Sequence, residues 1–338
     1  AIARDVVAAS RAGGGILTLD DFAGYRVEET APLHCAFRGY DVASAPPPSS
    51  GGATLCEILN VIAPFPLSAW GWHSARSVHY VTEAERRAYA DRNAYLGDPD
   101  FVRDPVARLL SPQYAAALRA RIAPNRATPS TDVKPGLGAI AYEGGDTTHY
   151  SIVDRWGNAV AVTYTLNDWF GAGVIAGKTG FFLNDEMDDF TAKPGVPNMY
   201  GLVQGVRNEV APGKRPLSSM APTIVTKNGN VVMVTGSPGG SRIITIVLET
   251  ILDGLVYGMN VREAVDAPRT HMQWLPDAVE YESGALSATA VASLHSMGYT
   301  LTKTPDWGSA QAIFVDPVTG VRYGGSDRRR PSGAALGY

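Results

Sequence analysis

The sequence predicts an α+β protein built of stacked layers, and two observations carry that prediction. Over residues 1 to about 125 apolar residues recur mostly with helical spacing, whereas after Thr147 they fall in strand-like runs, with a long helical stretch only around residue 250. Strands grouped with flanking helices, instead of alternating with them one by one, point to layers and not to a βαβ wheel. With 338 residues, 45% hydrophobic and 18% charged, the chain can bury a sizeable core as one large or two ordinary domains.

The elements follow in order. Residues 1–9 have the spacing of a helix already under way, with no capping residue before it, as expected of a fragment or a processed product. The turn-rich run Pro46-Pro47-Pro48-Ser49-Ser50-Gly51-Gly52 leads into Leu55, Ile58, Leu59 and Ile62, which fall at i, i+3, i+4 and i+7 of a helix. Further helices are expected over residues 78–94 and 112–122. Residues 124–146, rich in Pro, Thr, Gly and Asp, form an exposed connector that can be cut without breaking a core. Beyond it, residues 149–154 and 159–165 make a hairpin around Arg155-Trp156-Gly157-Asn158. Residues 223–226 and 231–235 make another around Lys227-Asn228-Gly229-Asn230, with its Asn-Gly turn signal. Ile243, Ile244, Val247, Ile251 and Leu255 mark a buried helix, and short strands return at 312–315 and 321–324. No internal repeat or low-complexity tract is visible.

Composition narrows the function. The net charge is −4 with acids and bases interspersed, which leaves no electrostatic footprint for nucleic acid or an anionic membrane and favours a small-molecule substrate. No run approaches the ~18 apolar residues of a membrane span, and no charged-then-apolar leader is seen. Cys35 and Cys56 have no CxxC or Cys/His spacing. They are expected as buried apolar residues, ahead of a single bridge, with a catalytic thiol last. No metal or cofactor is expected; calcium at the acid-rich residues 184–190 is conceivable, but the EF-hand pattern with its central glycine is absent.

The stretch Asp146-Thr147-Thr148-His149-Tyr150-Ser151 puts a threonine pair at the mouth of a strand. A threonine hydroxyl is a poor nucleophile without a base, and the base that needs no second residue is the threonine's own α-amine. That amine exists only if the Asp146–Thr147 bond is cut. Two reactions are therefore predicted, self-cleavage and then attack on a substrate carbonyl. By residue type alone Thr147 would be an ordinary strand threonine. The loose connector before it, the regular strand after it and Thr165 facing it across the hairpin favour the nucleophile. His149 shares Thr147's face, but nothing in the sequence assembles a Ser-His-Asp triad.

Other candidates have plainer alternatives. In Ser237-Pro238-Gly239-Gly240-Ser241 the amides of Gly239 and Gly240 can point into a cleft and suit an oxyanion; in isolation a simple strand-to-helix turn with Ser241 as N-cap is the stronger reading. The acids of Asn184-Asp185-Glu186-Met187-Asp188-Asp189-Phe190 make either a solvated loop or a pocket for an ammonium group. Ser218 and Ser219 offer hydroxyls for a carboxylate, or a turn. Residues 193–201, with Tyr200 among helix breakers, make a lid or a surface loop.

Together, Thr147-Thr148-His149-Tyr150-Ser151, the run from Gly157 through Val162-Thr163-Tyr164-Thr165-Leu166-Asn167, Pro216-Leu217-Ser218-Ser219-Met220 and Gly236-Ser237-Pro238-Gly239-Gly240-Ser241-Arg242 closely resemble the γ-glutamyltransferase (glutathione hydrolase) family in order and spacing. Pro46-Pro47-Pro48-Ser49-Ser50-Gly51-Gly52 and Tyr89-Ala90-Asp91-Arg92 look like its large subunit, which extends the likeness over nearly the whole chain. The resemblance implies an N-terminal nucleophile hydrolase fold, an αββα four-layer sandwich incomplete at its N-terminus. It assigns residues 1–146 to the large subunit and 147–338 to the small one, joined as a heterodimer after cleavage between Asp146 and Thr147.

The activity implied is hydrolysis of γ-glutamyl amides such as glutathione and transfer of the acyl group to amino acids or peptides, with water as the competing acceptor. Thr147 would be the nucleophile both times, Thr165 would polarise it, and the Gly239 and Gly240 amides would hold the oxyanion. Asn167, Glu186 and Asp189 match positions that bind the α-amino and α-carboxyl end of the glutamyl group. Ser218 and Ser219 match hydroxyls that bind its carboxylate, and Tyr200 matches a lid tyrosine. Glu186 stands where some relatives carry Gln. Bacterial members are typically exported. The family's precursor has an upstream segment with a carboxylate-binding arginine that no residue here matches, so this chain alone is expected to be inactive or weak. The competing readings are a glutaryl cephalosporin acylase, against which the acid cluster and Tyr200 weigh, and an uncleaved, non-catalytic homologue.

Overall fold

The computed structural model describes residues 1–135, 147–194, 196 and 204–337. The first part opens with helices α1 (Ile2–Ala12) and α2 (Leu19–Gly24), the second closed by a capping box between Thr18 and Asp21. A hairpin, β1 (Leu33–Phe37) and β2 (Tyr40–Ser44), follows within a region expected to be mostly helical. Its turn holds Arg38 and Gly39 at φ 51 and 84, the paired positive φ that matches the twist of a two-residue hairpin. Leu33, Cys35 and Phe37 alternate inward.

Helix α3 (Gly51–Ile62) is buried along all but one residue, Asn60. Its first turn must be glycine, because a Cβ on Gly51 would collide with the Met220 carbonyl and one on Gly52 with the Ala45 carbonyl. The expected separate cysteines are instead joined, Cys35 to Cys56 with Cα atoms 5.7 Å apart, because the inward face of β1 lies on α3. Next come α4 (Leu67–Trp70), α5 (Ala75–Tyr95), α6 (Val106–Leu109) and α7 (Pro112–Arg119). Helix α7 ends before the expected 122 because Arg121 and Ile122 bond three residues back and tighten the chain out of the α-helix. Helix α5 is largely buried despite its charges, and among them Arg87 reaches Glu83 at 2.6 Å.

The second part begins with the expected hairpin, β3 (Thr148–Val153) and β4 (Ala159–Tyr164). The hairpin β5 (Thr223–Lys227) and β6 (Asn230–Gly236) leads into the buried helix α8 (Arg242–Leu255). Then follow α9 (Val261–Asp266), β7 (Thr270–His271), β8 (Val279–Tyr281), α10 (Ala288–Ser296), β9 (Leu301–Lys303), β10 (Gln311–Val315) and β11 (Arg322–Ser326). An antiparallel six-stranded sheet runs β1-β2-β5-β6-β10-β11, so strands from before and after Thr147 share one ladder. Strands β7, β8 and β9 form a small separate sheet.

The alternation along β6 builds the layers. Met233 points into the main core with residues of α3 and α8, while Gly236 on the other face lies under the His149 ring of β3. Helices thus cover one face of the large sheet and the β3–β4 hairpin covers the other. The described residues form a mixed α/β fold of helix, sheet and sheet. On the far side of the hairpin Tyr150, Ile152, Val160 and Tyr164 are exposed.

Candidate active site

Thr147 leads directly into β3. The hairpin pairs Thr148 with Tyr164 and His149 with Thr163, so the same register sets Thr147 opposite Thr165. His149 packs over Gly236, the last residue of β6, so closely that any Cβ there would overlap its ring. The start of β3, the end of β4 and the end of β6 therefore lie at one end of the packed sheets. Arg330, from the C-terminal segment, donates to the Thr147 carbonyl at 3.0 Å while its guanidinium lies 4.2 Å from the Trp169 ring centroid.

The turn after β6 is conformationally special. Gly239 and Gly240 have φ 139 and 57, values that L side chains rarely adopt. Among the described residues neither of their amides donates to a protein acceptor. The expected N-cap bond of Ser241 is not formed: its side chain caps nothing in α8 and instead donates to Gln273 Oε1 at 2.9 Å. Capping lost to a longer-range partner because Gln273 is also buried and needs a donor.

A continuous chain of bonds carries the remaining candidates to this end. The Thr165 hydroxyl accepts from the Asn167 amide at 2.7 Å, and Asn167, at φ 76, reaches the Asp185 carbonyl with Nδ2 at 3.4 Å. Asp185 opens the 3₁₀ turn Glu186–Asp189. Burial, helped by the neighbouring Asp185 charge, pushes the Glu186 carboxyl up to about 7. Asn208 then joins the acid turn to the serine pair, donating to the Asp189 carbonyl at 2.6 Å and accepting from Leu217 N at 3.0 Å.

The serine pair is clamped from the first part of the chain. Ser50 holds the Ser218 carbonyl with both N and Oγ at 2.7 Å, and Arg92 Nη2 donates to Ser219 Oγ at 2.7 Å. Ser50, Arg92 and Asn208 were missed as site-building residues. Their partners lie 9 to 168 residues away, and the hints were the Pro-Pro-Pro-Ser-Ser-Gly-Gly turn and the Tyr89-Ala90-Asp91-Arg92 motif, to which no role in the site was given. Asp146 and Tyr200 lie outside the described residues, as does most of the lid segment around Tyr200.

Among the described residues the His149 ring meets hydroxyls and no carboxylate. Its Nδ1 meets Thr163 Oγ1 at 2.8 Å and its Nε2 meets Ser151 Oγ at 3.1 Å, while burial lowers its pKa to about 4 and keeps it neutral. Among the described residues no three His, Cys, Asp or Glu gather as metal ligands.

Hydroxyls at strand ends near a glycine turn whose amides have no protein acceptor among the described residues suit acyl transfer as a class of chemistry. Residues 1–337 match the family model described as Gamma-glutamyltranspeptidase, and the chain belongs to that family. It is 55% identical to the glutathione hydrolase proenzyme of Pseudomonas sp. (strain A14), over all of this chain and 60% of that protein. It is 49% identical to the glutathione hydrolase proenzyme of Escherichia coli (strain K12), over all of this chain and 58% of that protein. The crystal structure of a cephalosporin acylase from Bacillus halodurans matches with TM-score 0.83 at 27% identity, over 97% of this chain and 57% of that one. The chain thus spans about three fifths of the length of the curated relatives it matches.

Proposed function

We propose that this chain is the greater part of a glutathione hydrolase precursor that cuts itself at Asp146–Thr147 and then acts on γ-glutamyl amides. The observation that carries this reading is Thr147 leading into β3 opposite Thr165, at the sheet end where the β6 turn holds two glycine amides with no protein acceptor among the described residues. In self-cleavage Thr147 Oγ1 bonds the Asp146 carbonyl carbon as its proton passes to the peptide nitrogen. The C–N bond breaks to leave an ester on Oγ1 and a free amine, and water hydrolyses the ester to release the Asp146 carboxylate. In turnover the amine takes the Oγ1 proton, Oγ1 bonds the substrate γ-carbonyl carbon, and the proton is delivered to the departing amine. Water or the amine of an amino acid or peptide then attacks the threonyl ester.

The Gly239 and Gly240 amides stabilise the oxyanion of each tetrahedral intermediate, a kind of donor worth about 10²–10³ in rate. A neutral His149 engaged by two hydroxyls leaves the amine as the base. Glu186, Asp189 and Asn167 take the α-ammonium end, Ser218 and Ser219 the α-carboxylate, and Tyr200 covers the pocket. No metal or cofactor enters these steps. The two products, 1–146 and 147–338, stay together as large-subunit and small-subunit parts of a heterodimer, since they share the six-stranded sheet. The exposed apolar face of β3–β4 is the face that a further helical layer covers in a four-layer αββα sandwich. The Cys35–Cys56 bridge supports residence in an oxidising compartment, periplasmic or extracellular.

A second reading, a glutaryl acylase, is favoured by the likeness to the Bacillus halodurans acylase. The test is release of a chromogenic aniline from γ-glutamyl and glutaryl anilides by the complete precursor. The γ-glutamyl compound is expected to turn over at least tenfold faster; preference for the glutaryl compound, which has no ammonium for Glu186, rejects the first reading.

A further inference from the structure

The two glycines that aim the proposed oxyanion donors cannot hold their own geometry, because residues without Cβ give up the most conformational freedom on ordering. Their peptide planes are tied at the Pro238 carbonyl, which accepts from Ser237 Oγ at 2.6 Å, and at the Gly239 carbonyl, which accepts from Arg242 N at 3.2 Å, and the residue that follows them, Ser241, anchors the far end of the turn. Ser241 is 1% exposed and gripped twice. Its carbonyl accepts from Ile244 N at 3.2 Å and from the Tyr89 hydroxyl at 2.6 Å, which fills both lone pairs. Its hydroxyl donates to Gln273 Oε1 at 2.9 Å, and the same oxygen lies 2.7 Å from His271 Nε2.

An amide oxygen only accepts, so His271 carries its proton on Nε2. Burial lowers the His271 pKa to about 4, which leaves Nδ1 free of a proton to accept from Thr245 Oγ1 at 2.8 Å. The His271 Nε2 proton and the Ser241 hydroxyl therefore both end on the Gln273 oxygen, while the Thr245 hydroxyl lies within reach of His271 Nδ1 at 2.8 Å and the Arg242 carbonyl at 3.1 Å. Tyr89 comes from α5, before the expected cleavage point, and Gln273 from the segment after β7. The turn is held from both sides of that point.

We propose that Tyr89 and Gln273 are positioning residues that lock Ser241 and so aim the Gly239 and Gly240 amides at the reacting carbonyl. This rests on the oxyanion reading of that turn. A loose turn still binds substrate but stabilises the transition state less, so the loss falls on kcat and not on KM.

The test compares Tyr89→Phe, Gln273→Leu, Ser241→Ala, the double variant Ser241→Ala/Gln273→Leu and Gly240→Ala, each in the complete precursor, with γ-glutamyl anilide as substrate. Tyr89→Phe keeps the ring and serves as the variant least able to disturb folding. Tyr89→Phe and Gln273→Leu are each expected to lower kcat about 10-fold to 30-fold with KM within twofold of the parent. The double variant should lose no more than Gln273→Leu alone, since both remove one contact. Parent-like kcat in Tyr89→Phe and Gln273→Leu, or losses that appear mainly in KM, overturn the proposal while a ~10²-fold loss in Gly240→Ala leaves the oxyanion reading standing. Parent-like kcat in Gly240→Ala overturns both.

Discussion

The turn after β6 and the acid turn Glu186–Asp189 serve the same proposed pocket and are built in opposite ways. The first is fixed on every side. Ser237 donates to the Pro238 carbonyl at 2.6 Å and accepts from Ser309 N at 3.1 Å, Tyr89 and Gln273 grip Ser241, and Arg242 is bonded to Glu280 at 2.7 and 2.9 Å. The second is a single 3₁₀ turn with Met187 exposed, tied down largely through backbone groups: Asp185 N to the Leu166 carbonyl at 3.0 Å, and Gln204 and Asn208 to the Asp189 carbonyl. In the proposed pocket the groups that would meet a developing charge sit between the ends of β6 and α8, while the charges that would recognise a substrate ride on a short 3₁₀ turn.

The sharpest break in that comparison is Gly240→Ala. With φ at 57 the added Cβ strains the turn and tilts its amides, and the expected loss in kcat is ~10²-fold or more by steady-state assay. Substituting Asn208→Leu strikes the loosely held side instead. It cuts the tie between the acid turn and the serine pair, so KM should rise about tenfold with kcat little changed, alongside a destabilisation of about 1–3 kcal/mol in denaturant melts. Equal losses in kcat from both variants would erase the distinction between the two regions.

Smaller effects sharpen it. Glu186 titrates near 7, and only its ionised form attracts an ammonium. For a γ-glutamyl substrate kcat/KM should therefore climb as pH rises through about 7 and then level off, and Glu186→Gln should remove that step. Stability runs the other way. The carboxyl is raised from its usual 4.5, ionisation is what burial penalises, and unfolding free energy falls as pH climbs from about 4.5 to about 7. Replacing both Cys35 and Cys56 by Ser releases a link across a 21-residue separation, worth about 3 kcal/mol on a loop-entropy estimate. It should lower Tm by several degrees without altering kcat.

How much was legible in the sequence follows the range of the forces involved. The hairpins β3–β4 and β5–β6 were readable because alternation and an Asn-Gly or Gly-Asn turn are local signals, and the register of the first already set Thr165 across from Thr147. Helix α8 declared itself by its apolar spacing. The hairpin β1–β2 was missed because its turn is Arg38-Gly39, a pair without the usual asparagine, and β7 to β9 are only two or three residues long. The disulfide joins elements that only packing brings together. Ser241 shows the same limit at the site: local rules make it a cap, but a buried glutamine 32 residues away takes its hydroxyl.

The central claim is that Thr147 becomes an N-terminus by its own chemistry. Intact-mass analysis of the complete precursor, parent beside Thr147→Ala, tests it most directly. The parent should resolve into two chains, the smaller beginning at Thr147, while Thr147→Ala stays whole and shows no γ-glutamyl anilide turnover. Cleavage at the same bond in Thr147→Ala, or an uncut parent that still turns over substrate, would contradict it.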